Sequence, residues 1–436
     1  MSYEPVLGID VGASYSKVAL RSESAKPDAR TFYTKFIGQI SSLCIRDTSR
    51  GKETWFFGSE AAGMKLGAGA TRNENWKADL FSQASSGTYA GAVIVAHKFF
   101  EWLNKWLISN GINPTDQRVR VCVPALENVE PYASTVAQIM EASGWPDVEI
   151  VKVSEPRANA VGIMSGGRNC LLKNGVPGYG PMYGQGSSYA HWVRQELHGQ
   201  RAPLVRVCII DVGSFTTDLA GIIINLHTAE ADGIRTEVQK SWLFGIINEL
   251  DKLLLPRVLS GHGLNTDALT FTEQEELKEQ IYAGKEFAVV GATVGGPKDQ
   301  KIIAKEMKGF CQGIAERIRG DILEFNPEIA YLTGGGSQIP AVYEALVDFL
   351  ATLQCTVIPV PFVDDKCTKE PAERVASGLG AASIILDAEE TAQVTEVSVE
   401  RAAPSDSTLI KCRCQGGNKD CCFCWGRGYY RRAVAA

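Results

Sequence analysis

One pattern occurs twice in this chain and limits what it can fold into more than any other feature. LGIDVGASYSKVAL begins at Leu7, and CIIDVGSFTTDLAGI begins at Cys208. Each is an apolar run that ends in Asp-Val-Gly, followed by a turn of small and hydroxyl-bearing residues and then a second run. An apolar run, a glycine turn and a returning run predict a β-hairpin. The two aspartates, Asp10 and Asp211, are 201 residues apart in a chain of 436. A repeat at about half the chain length predicts two similar halves, each presenting one hairpin.

The rest of the chain fits that division. Val6–Asp10, Val119–Val123, Val148–Val153, Val205–Asp211, Ile329–Thr333 and Thr356–Val360 are short apolar runs that predict buried strands. Ala90–Ile108 and Glu273–Ala288 have helical spacing, and Trp102 and Trp106, four residues apart, mark a core-facing helix stripe. Strands alternating with helices predict an α/β fold. With 45% apolar and 22% charged residues, the chain has an ordinary globular composition and enough length to bury a core without disulfides. A net charge of −6 argues against a nucleic-acid coat. No apolar run reaches the roughly 20 residues of a membrane span, and no basic-then-apolar leader opens the sequence, so the expected location is the cytoplasm. Cys122 and Cys208 lie inside apolar runs and read as small core residues. The five histidines share no ligand spacing and read as packing or surface groups.

The two turns suit a polyphosphate. Gly12 allows a tight bend whose N–H groups can approach an anion, and Ser14, Ser16, Thr216 and Thr217 add hydroxyl donors. Two carboxylates facing one cleft would repel a polyphosphate and each other. A hydrated Mg²⁺ held by Asp10 and Asp211 removes both repulsions. Lys17 offers a point charge for the outer phosphates. A third glycine-rich element, YLTGGGSQIPAVYEAL, predicts a strand ending at Thr333, a flat turn at Gly334, Gly335 and Gly336, and a helix beginning near Ser337 with Pro340 in its first turn. Neither GxxxxGK[ST] nor GxGxxG occurs.

Taken in order, these segments resemble the actin/Hsp70/sugar-kinase superfamily of ATPases, and the nucleotide-binding domain of Hsp70 chaperones in particular. VCVPALENVEPYASTVAQIMEASGWPDVEIVKVSEPRANAVG is similar to the Hsp70 stretch that ends in N-E-P-T-A-A-A. TGGGSQIPAVYEAL resembles its adenosine motif, PAERVASGLGAASII its last motif, and WKADL the segment carrying its catalytic lysine. The resemblance covers about residues 5–387. It implies a two-lobed, actin-like ATPase fold of duplicated ribonuclease-H-like domains: lobe I over 1–165, an insertion rich in Gly and Tyr over 166–203, lobe II over 204–370, a return helix over 371–387 and a linker over 388–410. It also implies ATP/ADP and Mg²⁺ as ligands. Asp10 and Asp211 would hold the metal, with Asp211 also able to accept a proton from the attacking water; Glu155 would orient that water, and Lys77 would stabilise charge on the γ-phosphate. Ala13, Tyr15, Gly213, Ser214, Phe215 and Thr216 would complete the phosphate turns, and Asp218 would order the metal's waters. Glu275 and Lys278 would reach the ribose, although E-x-x-K on a helix is also an ordinary surface pair. Hsp70 clamps adenine between two arginines; the matching positions here are Glu279 and Gln338. Lys17 follows Asp10 at the actin spacing, so a polymerising actin-like protein is the alternative.

The tail, CRCQGGNKDCCFCWGRGYYRR, is a separate module over 411–436. Cys421–Gly428 fits C-x-x-C-x-G-x-G and resembles the DnaJ zinc ribbon. Cys412, Cys414, Cys421 and Cys424 could form a Cys₄ zinc site, with Cys422 a rival ligand. The tail is basic, so an acidic partner protein or, more weakly, nucleic acid is an expected contact.

Overall fold

The computed structural model describes residues 5–23, 32–81, 88–126, 129–146, 148–159, 204–225, 234–358, 407–411 and 429–433. The expected insertion at 166–203, the return helix at 371–387, the linker and the five tail cysteines lie outside the described residues.

The fold is mixed α/β and contains two five-stranded sheets. The first has the order β3 (Phe32–Ser41), β2 (Tyr15–Glu23), β1 (Val6–Asp10), β7 (Arg118–Val123), β8 (Val148–Ser154). The second has the order β11 (Ile234–Trp242), β10 (Thr217–Asn225), β9 (Leu204–Val212), β14 (Ile329–Thr333), β15 (Thr356–Ile358). In each sheet the first three strands in sequence are joined antiparallel and the last two are added parallel. All six strands expected from the apolar runs are found, and each of the two Asp-Val-Gly segments ends the central strand of its own sheet.

Helices cover these sheets because their apolar residues recur at helical spacing. α1 (Gly58–Gly63), α2 (Trp76–Phe81), α3 (Tyr89–Ser109) and α4 (Glu130–Ala142) accompany the first sheet. On α3 the buried residues Ala92, Val95, Ala96, Phe99, Phe100, Leu103 and Leu107 form one stripe against Leu7, Ile9, Val119 and Val121. Truncating one of them, as in Leu103→Ala, removes about 2–5 kcal/mol of packing. Trp102 and Trp106 stack on each other at 6.4 Å along the edge of that core, as their spacing predicts. α5 (Lys252–Ser260), α6 (Phe271–Tyr282), α7 (Pro297–Phe325) and α8 (Pro340–Thr352) cover the second sheet, with Leu254, Leu277, Ile314, Ile318 and Leu346 against Ile210, Leu219 and Ala330.

Two helix boundaries differ from the sequence reading. The helix expected over Glu273–Ala288 starts earlier, at Phe271, because Thr270 and Glu273 form a reciprocal capping box. It ends at Tyr282, two residues before Gly284, whose backbone is left-handed (φ +77°), and Phe287–Val289 is a strand, β12, paired with β13 (Ala292–Val294). The helix expected near Ser337 begins at Pro340, after a 3₁₀ turn over Gly335–Gln338.

A third, small sheet, β5 (Thr54–Phe57), β4 (Cys44–Asp47), β6 (Ala70–Asn73), precedes α2. Its Ile45, with Leu43 and Ala61, packs on Phe271 of α6, so this core joins the small sheet to α6. Arg72 donates to the Leu269 carbonyl at 2.7 Å, and Thr272 to that of Ala62 at 3.2 Å, along the same contact. β16 (Ser407–Lys411) and β17 (Tyr429–Ala433) pair antiparallel, with Lys411 opposite Tyr429. Among the described residues no helix is long and apolar enough to cross a membrane.

Candidate functional site

The site is built where the two hairpins meet. In the first, Asp10 closes β1 and stands opposite Lys17 of β2; Lys17 Nζ donates to Asp10 Oδ2 at 2.8 Å. Gly12 is required at the bend, since a Cβ there would come within 2.1 Å of the Tyr15 carbonyl oxygen. In the second, Asp211 stands opposite Asp218, and the turn closes through a Gly213 N–H bond to the Thr216 carbonyl at 2.9 Å. The turns touch each other: Ser14 Oγ donates to Ser214 Oγ at 2.9 Å across 200 residues of sequence.

Strand alternation decides which hydroxyls face the site. Thr216 does, and donates to Asp218 Oδ2 at 2.7 Å. Ser16 and Thr217, expected as phosphate donors, alternate with Lys17 and Thr216 along the chain and are engaged elsewhere. Ser16 pairs with the Ser42 hydroxyl at 2.9 Å and Thr217 donates to the Phe244 carbonyl at 2.6 Å. Phe215 packs its ring on Phe81 at 6.4 Å, and Tyr15 on Phe271 at 6.1 Å, so each turn is anchored by an aromatic side chain. Ala13 is buried in the first turn.

Lys77 and Glu155 enter from elsewhere. Lys77 is carried by α2, whose Trp76 indole donates to the Ser42 carbonyl at 2.7 Å; Ser42 in turn donates its hydroxyl to the Gly12 carbonyl. That chain of contacts seats α2 on the first hairpin. Lys77 Nζ then reaches Glu155 Oε1 at 2.6 Å, both groups buried, with Glu155 opening the helical turn 155–159 after β8. The thiol of Cys122, foreseen only as core, lies within 4.8 Å of the Asp10 and Glu155 oxygens. Burial raises its pKa, so it stays a neutral thiol.

The electrostatics follow from excluded water. Burial pushes the Asp211 carboxyl up to about 6, against the pull of Lys17 and with the help of Asp10. Burial raises Glu155 as well, with Lys77 opposing. It raises Asp218 well above a free aspartate, and Glu155 and Asp211 add to that. Burial works against the charge on Lys77, but Glu155, Tyr132 and Asp10 outweigh it and keep the ammonium protonated. The arrangement is a water-poor space with several acidic groups crowded against two ammonium groups.

The third glycine element abuts Asp211. Gly334 has φ +82°, and a Cβ there would lie 2.0 Å from Asp211 Oδ1, so only glycine fits. Gly335 has open space where a side chain would be, and Gln338 is half-buried in the same turn. Glu275 and Lys278 form a network of their own: Lys278 Nζ bonds Asp251 Oδ2 at 2.9 Å and pairs with Glu275, and the Tyr282 hydroxyl donates to Asp251 at 2.7 Å. Tyr15 of the first hairpin links to it, close enough for Glu275 and Lys278 to act on its phenol.

Sequence reading missed two contributors. Asn159 donates to Asp211 Oδ2 at 2.8 Å and to Thr333 Oγ1 at 3.2 Å. Ser241 of β11 donates to Asp218 Oδ1 and accepts the Ala125 N–H at 2.7 Å. Only Asn159 had a readable signal, its position four residues after Glu155 on one face of a turn. No protein-family model matches the chain, and no curated protein matches it.

Proposed function

We propose that the chain is an ATPase of the actin/Hsp70 type, with the two large sheets as its two lobes and Mg-ATP bound and slowly hydrolysed between the two Asp-Val-Gly hairpins. One observation carries this reading: two acidic bends from different sheets, bonded to each other through Ser14 and Ser214, converge with Lys17, Lys77 and Glu155.

Lys17 and Lys77 supply the positive charge that a polyphosphate needs, and their effect is strengthened where water is excluded. Lys77 would sit on the γ-phosphoryl oxygens. Glu155, kept close to Lys77 and raised by burial, would orient the attacking water and receive its proton. A divalent cation suits the donor set, since Asp10 and Asp211 offer hard carboxylate oxygens that act on each other unfavourably without one. When bound, Mg²⁺ would neutralise and align the β- and γ-phosphates. A triphosphate entering between the turns would replace the Ser14–Ser214 bond, so occupancy changes how the halves meet, which is the basis of a nucleotide-dependent switch. The reading rests on phosphate and metal chemistry and leaves the base open, since Glu279 and Gln338 stand at the adenine-clamp positions.

The test is calorimetric titration with ATP and ADP, with and without Mg²⁺, followed by a phosphate-release assay. Binding that tightens with Mg²⁺ and slow release of phosphate are expected; no binding of either nucleotide ends the proposal. The pairing of Lys17 with Asp10 favours a second reading, a polymerising actin-like protein for DNA segregation or a cytoskeletal role. ATP-dependent filaments in electron micrographs would select it.

The tail reading is a zinc-bound adaptor for a partner protein. Its support is the pairing of Lys411 with Tyr429, which brings together the two ends of the segment holding Cys412, Cys414, Cys421 and Cys424. About one zinc per chain is expected in unchelated protein for a Cys₄ site, and less than about 0.1 would end that reading.

A further inference from the structure

Asn159 is tied into the site more tightly than packing requires, and one of its atoms is left idle. It is the last described residue of the helical segment that opens at Glu155 and is 0% exposed. Its amide nitrogen crosses to the other sheet and holds Asp211 Oδ2 at 2.8 Å and Thr333 Oγ1 at 3.2 Å. Its amide oxygen, Oδ1, is buried with no hydrogen-bond partner among the described residues. Turning the amide over does not relieve this, because an ionised carboxylate only accepts and the nitrogen must face Asp211. A buried acceptor left without a donor costs about 1–3 kcal/mol, so a fully buried idle oxygen at a ligand site calls for a donor that arrives with the ligand.

The neighbourhood restricts what that donor can be. Asp211 Oδ1 lies against the Gly334 backbone, at the position a Cβ would contact at 2.0 Å, while Oδ2 is held by Asn159. The carboxylate plane is therefore set from both sides. A phosphate oxygen is an acceptor and would repel Asn159 Oδ1. A metal-coordinated water fits, because its lone pair is on the metal and it presents only O–H groups; Mg²⁺ keeps several such waters when bound by one or two carboxylates.

We propose that Asn159 is an outer-sphere binding residue for the divalent cation of the nucleotide site, holding Asp211 through Nδ2 and accepting a hydrogen bond from a metal-bound water through Oδ1. The inference rests on the proposed Mg-nucleotide reading and adds to it a residue that no motif marked. It also gives the metal a direct tie across the two sheets, since Asn159 follows β8 and Asp211 ends β9.

The test measures ADP binding by calorimetry in EDTA and across an Mg²⁺ titration, for the wild type, Asn159→Ala and Asn159→Leu. The leucine variant retains the buried volume, and thermal melting checks that both variants fold. The Mg²⁺-dependent gain in ADP affinity is expected to fall about tenfold in both variants, the size of one hydrogen bond, while affinity in EDTA stays within about twofold. Full retention of the gain in folded variants overturns the proposal. Equal losses with and without Mg²⁺ make Asn159 a general strut and also overturn it. Failure of the wild type to bind ADP is a different result: it removes the nucleotide reading, and this inference with it.

Discussion

The two hairpins share a backbone and differ in charge. The ladder position opposite Asp10 holds Lys17, and the two form an ion pair of 2.8 Å. The same position opposite Asp211 holds Asp218, a second acid, which accepts hydrogen bonds from the Thr216 and Ser241 hydroxyls. The first bend is therefore compensated within its own hairpin, whereas the second accumulates negative charge in a buried place and responds by raised pKa values. Register decides where a side chain stands, but not its charge. That asymmetry leaves the first bend paired and the second crowded with acids, which is what the proposed cation would relieve.

The largest expected effect lies outside both hairpins. Under the proposed ATPase reading, Lys77→Ala should lower phosphate release about 10³-fold, the scale of one lost charge-stabilising contact, with ADP binding largely retained. Single-turnover rates check it, and an unchanged rate would assign the chemistry to the hairpins alone.

The next pair contrasts the two ladder positions directly. Lys17→Ala leaves Asp10 buried and unpaired and should cost about 3 kcal/mol in urea unfolding. Asp218→Asn, the equivalent position in the other hairpin, should be neutral or stabilising by about 1 kcal/mol, because it removes a crowded acid and retains hydrogen-bonding capacity. Equal losses for both variants would break the comparison.

Asp211→Asn sharpens it further. Asp211 titrates near 6 in the folded protein against 3.8 for a free aspartate. The native state thus holds this proton more tightly than the unfolded chain, so stability from this group is present below about pH 4 and is lost as pH rises through about 6. In EDTA the variant should gain about 2 kcal/mol at pH 8, roughly half that at pH 5, and almost nothing at pH 4. Denaturant midpoints across that range measure it; a gain independent of pH would mean that Asp211 is not the strained group. The smallest effect belongs to Ser14→Ala, which removes the bond between the turns and should cost about 0.5–1 kcal/mol without nucleotide.

Much of the frame could be read before any coordinates. The strands at Val6–Asp10 and Ile329–Thr333 are found with the expected limits, because an apolar run bounded by Asp, Gly or hydroxyl residues carries its boundaries locally. The duplicated bend was visible because Asp-Val-Gly recurs in the same context. Lys77 and Glu155 were reachable through family resemblance, and the structure joins them across 78 residues. The direction of the hydroxyls was harder to read: Ser16 and Thr217 look equivalent to Ser14 and Thr216 in sequence, but Ser16 alternates with Lys17 and Thr217 with Thr216, and both hydroxyls are engaged elsewhere. Lys278 does pair with Glu275, as E-x-x-K spacing allows, but the pair is half-buried and is also engaged by Asp251, 27 residues before Lys278, which local spacing does not show.

The order of amino acids by itself determined the two hairpins, the alternation of strands and helices, and the need for glycine at the first bend, since each depends on neighbours within a few residues. Tertiary structure alone decided that Ser14 meets Ser214, that Asn159 holds Asp211, and that Ser241 satisfies Asp218. Those partners come together only when helices and sheets pack. Packing is set by the summed shape of two apolar cores, which no local pattern encodes.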